Sequence, residues 1–183
     1  VLEVILMGRS PHIQRHETKA DLQIAYDALS VVNLDGFAER FYTELSGGEQ
    51  QRVHLARVLT QVWTPALIGK EVNTSKTQRY LLFDEPTSNL DIHAQHLVLE
   101  CVKRFASVGG TVFCVLHDIN LAAQYADQIL LLKEGEVLAD GPPVDVLKPN
   151  LLHSAFGVEG TVLESKEVAH PIFVVQPSKE TRA

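Results

Sequence analysis

The chain has 183 residues, with 16 Lys+Arg against 23 Asp+Glu and a formal net charge of −7. Hydrophobic residues make up 45% and charged residues 21%, the profile of one globular domain or a domain with a subdomain, and not of a disordered chain. The acidic balance argues against a bulk electrostatic grip on nucleic acid or anionic lipid.

Residues 1–7 form a short apolar run that carries Glu3 and lacks the basic flank of a signal peptide. The chain begins at Val1 and Met7 is its single methionine, so the expectation is a chain whose natural N-terminus is missing. From Thr18 the pattern becomes helical. Leu22, Ala25, Tyr26, Leu29 and Val32 recur at three- and four-residue spacing, and Thr18-x-x-Asp21 supplies a cap. A second helix starts at Ser46, because Ser46-Gly47-Gly48-Glu49 has the form of a capping box. Its buried stripe is Val53, Ala56, Leu59, Val62 and Trp63. Residues 64–78 are polar and aperiodic and read as a surface loop.

Then the period changes. Tyr80-Leu81-Leu82-Phe83 runs into Asp84-Glu85-Pro86, and residues 111–116 run into His117-Asp118. Between them the spacing predicts a helix from Ile92, with Leu97, Cys101, Val102 and Phe105 inward, stopped by Gly109-Gly110. Unbroken apolar strands joined by a helix predict a parallel βαβ unit buried on both faces. A short helix over 119–126 leads to a third strand, Ile129–Leu132, and Glu134-Gly135 turns the chain into 136–139. The remainder, ending in the apolar run 172–175, reads as an appended α+β tail. No apolar run approaches the ~18 residues of a membrane span.

In an open parallel sheet ligands bind beyond the carboxyl ends of the strands, which is where Asp84, Glu85 and His117 fall. Of two adjacent carboxylates, one can reach a hydrated Mg²⁺ while the other orients or deprotonates a water. On residue type alone the pair could equally solvate a strand end and cap the next turn. Ser46-Gly47-Gly48 at a helix start offers backbone N–H groups, a positive dipole end and no Cβ to hold a phosphate away. By spacing alone it is also an ordinary capped helix. Cys101 and Cys114 have no CxxC spacing, which excludes a zinc ribbon or disulfide framework and suits a reducing cytosol. His93 and His96 share a helix face without a third ligand.

Together these segments are more specific. Leu45-Ser46-Gly47-Gly48-Glu49-Gln50-Gln51-Arg52 resembles the signature motif of ATP-binding-cassette ATPases. Tyr80 to Thr87 resembles their Walker B strand, Ser88-Asn89-Leu90-Asp91 their D-loop, and His117 their switch histidine. The resemblance implies an α/β fold of the P-loop NTPase type, with a parallel-sheet core and a helical subdomain. It places the helical signature subdomain at 1–63, the C-terminal half of the ATPase core at 64–145, and a C-terminal tail at 146–183.

It further implies ATP and Mg²⁺ as cofactors. Asp84 would hold Mg²⁺ through water, Glu85 would polarise the attacking water, and His117 would contact the γ-phosphate. Leu45, Ser46, Gly47, Gly48 and Glu49 would complete the ATP site of the opposite subunit in a homodimer, and Asp91 of the D-loop would couple the two sites. No GxxxxGK[ST] phosphate loop occurs in the 183 residues, and the Q-loop glutamine is not identifiable. The expectation is therefore an ATPase subunit of which this chain alone is not competent.

Residues 4–12 resemble the segment after the Q-loop in importers of iron chelates, haem and cobalamin, and within that group residues 45–57, the loop before Arg79-Tyr80 and residues 115–123 are most like haemin-import ATPases. That resemblance implies a transmembrane permease dimer as partner, docked by residues 1–17 and the helical subdomain. It also implies indirect coupling to a periplasmic binding protein, and a peripheral location on the cytoplasmic face of a bacterial inner membrane. No nucleic-acid partner is expected. The alternatives are a ferric-siderophore or cobalamin importer, or a soluble ATPase of the same superfamily.

Overall fold

The computed structural model describes residues 1–63, 65–68, 78–88 and 90–176. The chain divides into two compact units, Val1–Val115 and Leu116–Ala183.

The first unit opens with α1 (Leu2–Leu6) and a 3₁₀ segment, Met7–His12, followed by α2 (Lys19–Val31) and α3 (Gly47–Gln61). Helix α2 starts where a reciprocal cap forms. Thr18 Oγ1 accepts from the Asp21 N–H at 3.3 Å, and Asp21 Oδ2 accepts from the Thr18 N–H at 3.0 Å. Ala25, Ala28 and Leu29 of α2 join Val53, Ala56 and Leu59 of α3 in one core with Ile5 and Leu34. The buried face of α2 is rotated from the expected stripe. Leu22 and Tyr26 lie on its flank, 37% and 45% exposed, while Ala28 and Val31 go inward. On α3 the expected Val53, Ala56 and Leu59 are fully buried, whereas Val62 and Trp63 fall past the helix end and are half-buried.

The 3₁₀ segment is seated hard against α3. A Cβ on Gly8 would lie 2.0 Å from the Arg57 carbonyl oxygen and 2.2 Å from Thr60 Oγ1. Beside it, Arg9 donates from Nε to Asp21 Oδ1 at 2.9 Å and from Nη1 to the Thr60 carbonyl at 2.7 Å. One guanidinium thus pins the start of α2 to the end of α3. Of the segment expected as a surface loop, Pro65–Ile68 forms a 3₁₀ turn with Leu67 fully buried. Residues 64 and 69–77 of that loop lie outside the described residues.

Strands β1 (Arg79–Asp84) and β2 (Gly110–Val115) pair in parallel, in register from Arg79↔Gly110 to Asp84↔Val115. Helix α4 (Ile92–Ser107) is the crossover, as the strand–helix–strand pattern predicts. The expected burial on both faces does not hold. Leu81 is buried on the side packed by Val98, Cys101 and Phe105 of α4, but Leu82 is 76% and Phe113 62% exposed. The physical reason is that α4 covers one face and no described element of this unit covers the other. Unbroken hydrophobicity reports two buried faces only when both covering layers are present.

The second unit contains α5 (Ile119–Tyr125), β3 (Ile129–Lys133), β4 (Glu136–Gly141), α6 (Pro143–Val146), α7 (Pro149–Phe156), β5 (Gly160–Leu163) and β6 (Ile172–Val175). Strands β3 and β4 form an antiparallel hairpin. Its turn places Glu134 at φ 52° and Gly135 at φ 84°, the positive pair that matches a hairpin's twist. Strands β5 and β6 form a second antiparallel pair. Ile129, Leu131, Val146, Leu147, Leu152 and Phe173 make the core. The Asn120 side chain bonds both the N–H and the C=O of Phe173, at 2.8 and 3.1 Å, so α5 is stitched to β6.

Candidate functional site

Ser46 occupies the N-cap of α3 with extended backbone, and its capping box is complete. Its Oγ accepts from the Glu49 N–H at 3.3 Å, while its own N–H and hydroxyl donate to Glu49 Oε2, each at 2.8 Å. Those two donations hold the Glu49 carboxyl below its ordinary range. Gly47 and Gly48 are the first two helical residues, whose N–H groups have no intrahelical acceptor. A Cβ on Gly47 would meet nothing within 4 Å, and one on Gly48 only Ala94 Cβ at 3.6 Å. Ser46 and Gly47 are exposed and Leu45 beneath them is buried. The result is an open, donor-rich helix end, with the Glu49 carboxylate turned back onto Ser46.

The approach to this end is fixed from behind. Gln50 Nε2 donates to the carbonyls of Tyr42 and Leu45 at 3.3 and 3.2 Å. The Tyr42 hydroxyl lies 2.7 Å from His54 Nε2, with the two rings edge to face. Burial, and then the Arg57 charge, lower the His54 pKa, which disfavours the charged ring.

At the end of β1, Asp84 is exposed and Glu85 half-buried. Glu85 has φ 47°, a left-handed conformation that a non-glycine residue holds at a cost of about 1–3 kcal/mol. The surrounding bonds account for it. The Glu85 N–H donates to the Val115 carbonyl at 3.1 Å, and its carbonyl accepts from the Ser88 N–H at 3.1 Å. Its Oε2 accepts from the Ser88 hydroxyl at 2.9 Å. The carbonyls of the buried residues Pro86 and Thr87 accept from Gln51 Nε2 at 3.1 Å and Gln95 Nε2 at 3.3 Å. A cleft of about 150 Å³ lies between α3, the end of β1 and α4, lined by Gln51, His54, Phe83, Asp84, Pro86 and Val98 among others.

Asp91 is the N-cap of α4, with Oδ1 accepting from the Ala94 N–H at 2.8 Å. Leu90 is half-buried and Asn89 lies outside the described residues. His117 is exposed, two residues past the end of β2, and the following Asp118 caps α5 through the N–H groups of Asn120 and Leu121. Ser46–Glu49, Asp84, Glu85, Ser88 and Asp91 all belong to the first unit, and His117 belongs to the second.

The donor set matches two chemistries. Asp84 is an exposed hard-oxygen donor at a strand end, which suits Mg²⁺, an ion bound through one or two carboxylates with waters and phosphate oxygens. The open N–H groups at Gly47 and Gly48 suit a phosphate. Burial raises the pKa of both Cys101 and Cys114 to about 11, so neither is an activated thiolate, and the Cys101 thiol donates to the Val31 carbonyl at 3.3 Å. Among the described residues no group of three His, Cys, Asp or Glu is placed to hold a metal by itself.

The motif contained Gln51 without giving it a role, His54 showed no ligand spacing, and nothing in the sequence singled out Gln95 or Tyr42. Their partners are carbonyls or rings distant along the chain, which no local spacing encodes. Asp91 and Asp118 as caps carried a local signal, an Asp immediately before a helical run.

No family model matches the chain. Among curated proteins it is similar to the hemin import ATP-binding protein HmuV of Gloeobacter violaceus, 44% identical over 174 residues, covering 95% of this chain and 60% of that protein. The HmuV of Myxococcus xanthus is 49% identical over 163 residues, covering 89% of this chain and 58% of its own length. Among solved structures, an inward-facing metal-chelate type ABC transporter matches with a TM-score of 0.79 and 30% identity, over 96% of this chain and 66% of that one. The ATP-binding cassette MJ0796, a post-hydrolysis dimer with ADP and Pi, matches with a TM-score of 0.59 and 30% identity, over 77% of this chain and 55% of that one. The chain thus spans about 60% of the length of the curated relatives it matches. Over that span its motifs, its parallel β1–α4–β2 unit and these likenesses agree: the chain has the fold of the ATP-binding-cassette ATPases and is similar to the haemin-import members of that family.

Proposed function

We propose that this chain carries the signature, Walker B, D-loop and switch-histidine part of the ATP-hydrolysing subunit of an importer, with haemin as the imported ligand. The observation that carries the reading is Glu85, held in a left-handed turn at the end of a parallel strand beside Asp84, in the same unit as an open Ser-Gly-Gly helix end. The haemin assignment is supported by the curated relatives.

In this reading residues 1–63 are the helical signature subdomain, 64–145 the second half of the ATPase core and 146–183 the C-terminal tail. Mg²⁺, when bound, would neutralise charge on the phosphates, and Asp84 would hold it through water. Glu85 orients and polarises the attacking water, and releasing its carboxylate from the Ser88 hydroxyl frees the acceptor that does so. His117 contacts the γ-phosphate. Leu45, Ser46, Gly47, Gly48 and Glu49 act on the nucleotide of a second subunit in a homodimer. There the Ser46 hydroxyl exchanges Glu49 for a phosphate oxygen, and the glycines let the phosphate approach the helix backbone. Ser88, Asn89, Leu90 and Asp91 link the two sites. The partners are a permease dimer and, through it, a periplasmic binding protein, with the subunit peripheral on the cytoplasmic face of the inner membrane. Since its sequence has no phosphate loop, the chain alone does not turn over ATP.

The test is ATP turnover by the assembled importer in vesicles, with haemin, a ferric siderophore or cobalamin delivered in turn. The reading expects stimulation by haemin and its loss in Glu85→Gln. Stimulation by cobalamin or siderophore instead would overturn the haemin assignment. Turnover indifferent to Glu85→Gln would overturn the role of that carboxylate.

A further inference from the structure

We propose that Gln51 is a positioning residue that ties the Glu85 turn to the signature helix, so that the seating of α3 on one nucleotide sets the carboxylate that serves the other. The inference rests on the reading above, in which Ser46 and Glu85 of one subunit face different nucleotides.

Gln51 stands on α3 five residues after Ser46. Its amide crosses from α3 to the Pro86 carbonyl at 3.1 Å. That carbonyl belongs to the residue directly after Glu85. Proline has a fixed φ and no N–H, so of the two dihedrals that separate the Glu85 peptide from this carbonyl only the ψ of Pro86 remains free. Residues before proline are restricted as well, and Glu85 is already in the left-handed region. The turn is therefore held from outside, by Gln51 of α3 and by Gln95 of α4 on the Thr87 carbonyl. Gln95 sits on the helix that follows the turn in the chain. Gln51 is the strut that comes from the signature helix. Gln50, next to it, faces the other way and bonds the carbonyls of Tyr42 and Leu45 ahead of Ser46. Two adjacent glutamines thus connect one helix to the signature loop and to the Glu85 turn. A shift of α3 that follows a ligand at Ser46 reaches Pro86 through this amide.

The bond predicts a difference between shape and donor. Gln51→Glu preserves shape but its carboxylate cannot donate to a carbonyl, and Gln51→Met preserves length without any donor. In the 183-residue chain, amide hydrogen exchange at Ser88, whose N–H bonds the Glu85 carbonyl, is expected to speed up about threefold to tenfold in both variants. Exchange at Leu59 in the α3 core is expected to stay unchanged. In the assembled importer both variants are expected to lower kcat for ATP about tenfold, with KM within about twofold. Unchanged Ser88 exchange in Gln51→Met, or a wild-type kcat in that variant, would overturn the proposal. Failure of the underlying reading looks different: Glu85→Gln would leave turnover intact, whatever the exchange at Ser88.

Discussion

A methyl group added at Gly47 would meet nothing within 4 Å, whereas one added at Gly8 would lie 2.0 Å from the Arg57 carbonyl oxygen. The two glycines therefore differ in kind: the space beside Gly47 is open, and Gly8 is required by packing. Gly47→Ala should leave stability within about 0.5 kcal/mol of wild type, while a phosphate could no longer reach the helix backbone. Gly8→Ala should cost about 1–3 kcal/mol, since backbone must move. Urea unfolding of the two variants checks the contrast, and equal destabilisation would refute it. Ser46→Ala removes a cap that is formed in both directions, and should cost about 1 kcal/mol in the same assay. Residue roles of this local kind were legible in the sequence, because a cap or a Gly-Gly helix start is a pattern of neighbours. Gln51 and Gln95 were not, because each acts on a carbonyl 35 and 8 residues away.

At the scale of elements, the helices were found where their periodicity placed them, but their faces were only partly right. Leu22 and Tyr26 fit the α2 stripe by spacing and still lie at its exposed edge, since the buried face is chosen by α1 and α3, which pack on α2 from elsewhere in the chain. The capping boxes at Thr18 and Ser46 formed as read. What composition could not disclose is how α2 is tied down. The Thr18 hydroxyl and N–H, then Arg9, hold the Asp21 carboxyl at about 2, below its ordinary 3.8. A carboxyl with a depressed folded-state pKa adds stability above its unfolded value, and loses it as pH falls toward the folded value. The stability advantage of the wild type over Asp21→Asn should therefore be full above about pH 5 and shrink between about pH 4 and 2. Thermal unfolding across that range measures it, and a gap that widens on acidification would contradict the assignment.

For the molecule as a whole, the β1–α4–β2 unit was legible because a parallel crossover has a distinctive order of apolar runs. Its exposed face could not be read from β1 and β2 themselves. Tyr80, Leu82, Phe113 and Val115 are all more than half exposed, and such a patch drives association when left uncovered. The double substitution Leu82→Lys and Phe113→Thr should raise the concentration at which the chain stays monomeric in light scattering, with its helical circular dichroism unchanged. No change in association would mean that another surface is responsible. The family was legible for a different reason. Four motifs occur in order, and the chain covers about 60% of relatives that are 44% and 49% identical to it.

The proposed role of Glu85 is to activate water in an ATP site that this chain helps to form but does not complete. Phosphate release from Mg²⁺–ATP tests it, measured for the 183-residue chain and for the assembled importer, each beside Glu85→Gln. The expected result is no release by the chain above its Glu85→Gln control, and turnover by the importer that falls about a hundredfold or more in that variant. Release by the chain alone that vanishes in Glu85→Gln would contradict the incomplete site, and importer turnover that survives Glu85→Gln would contradict the role of the carboxylate.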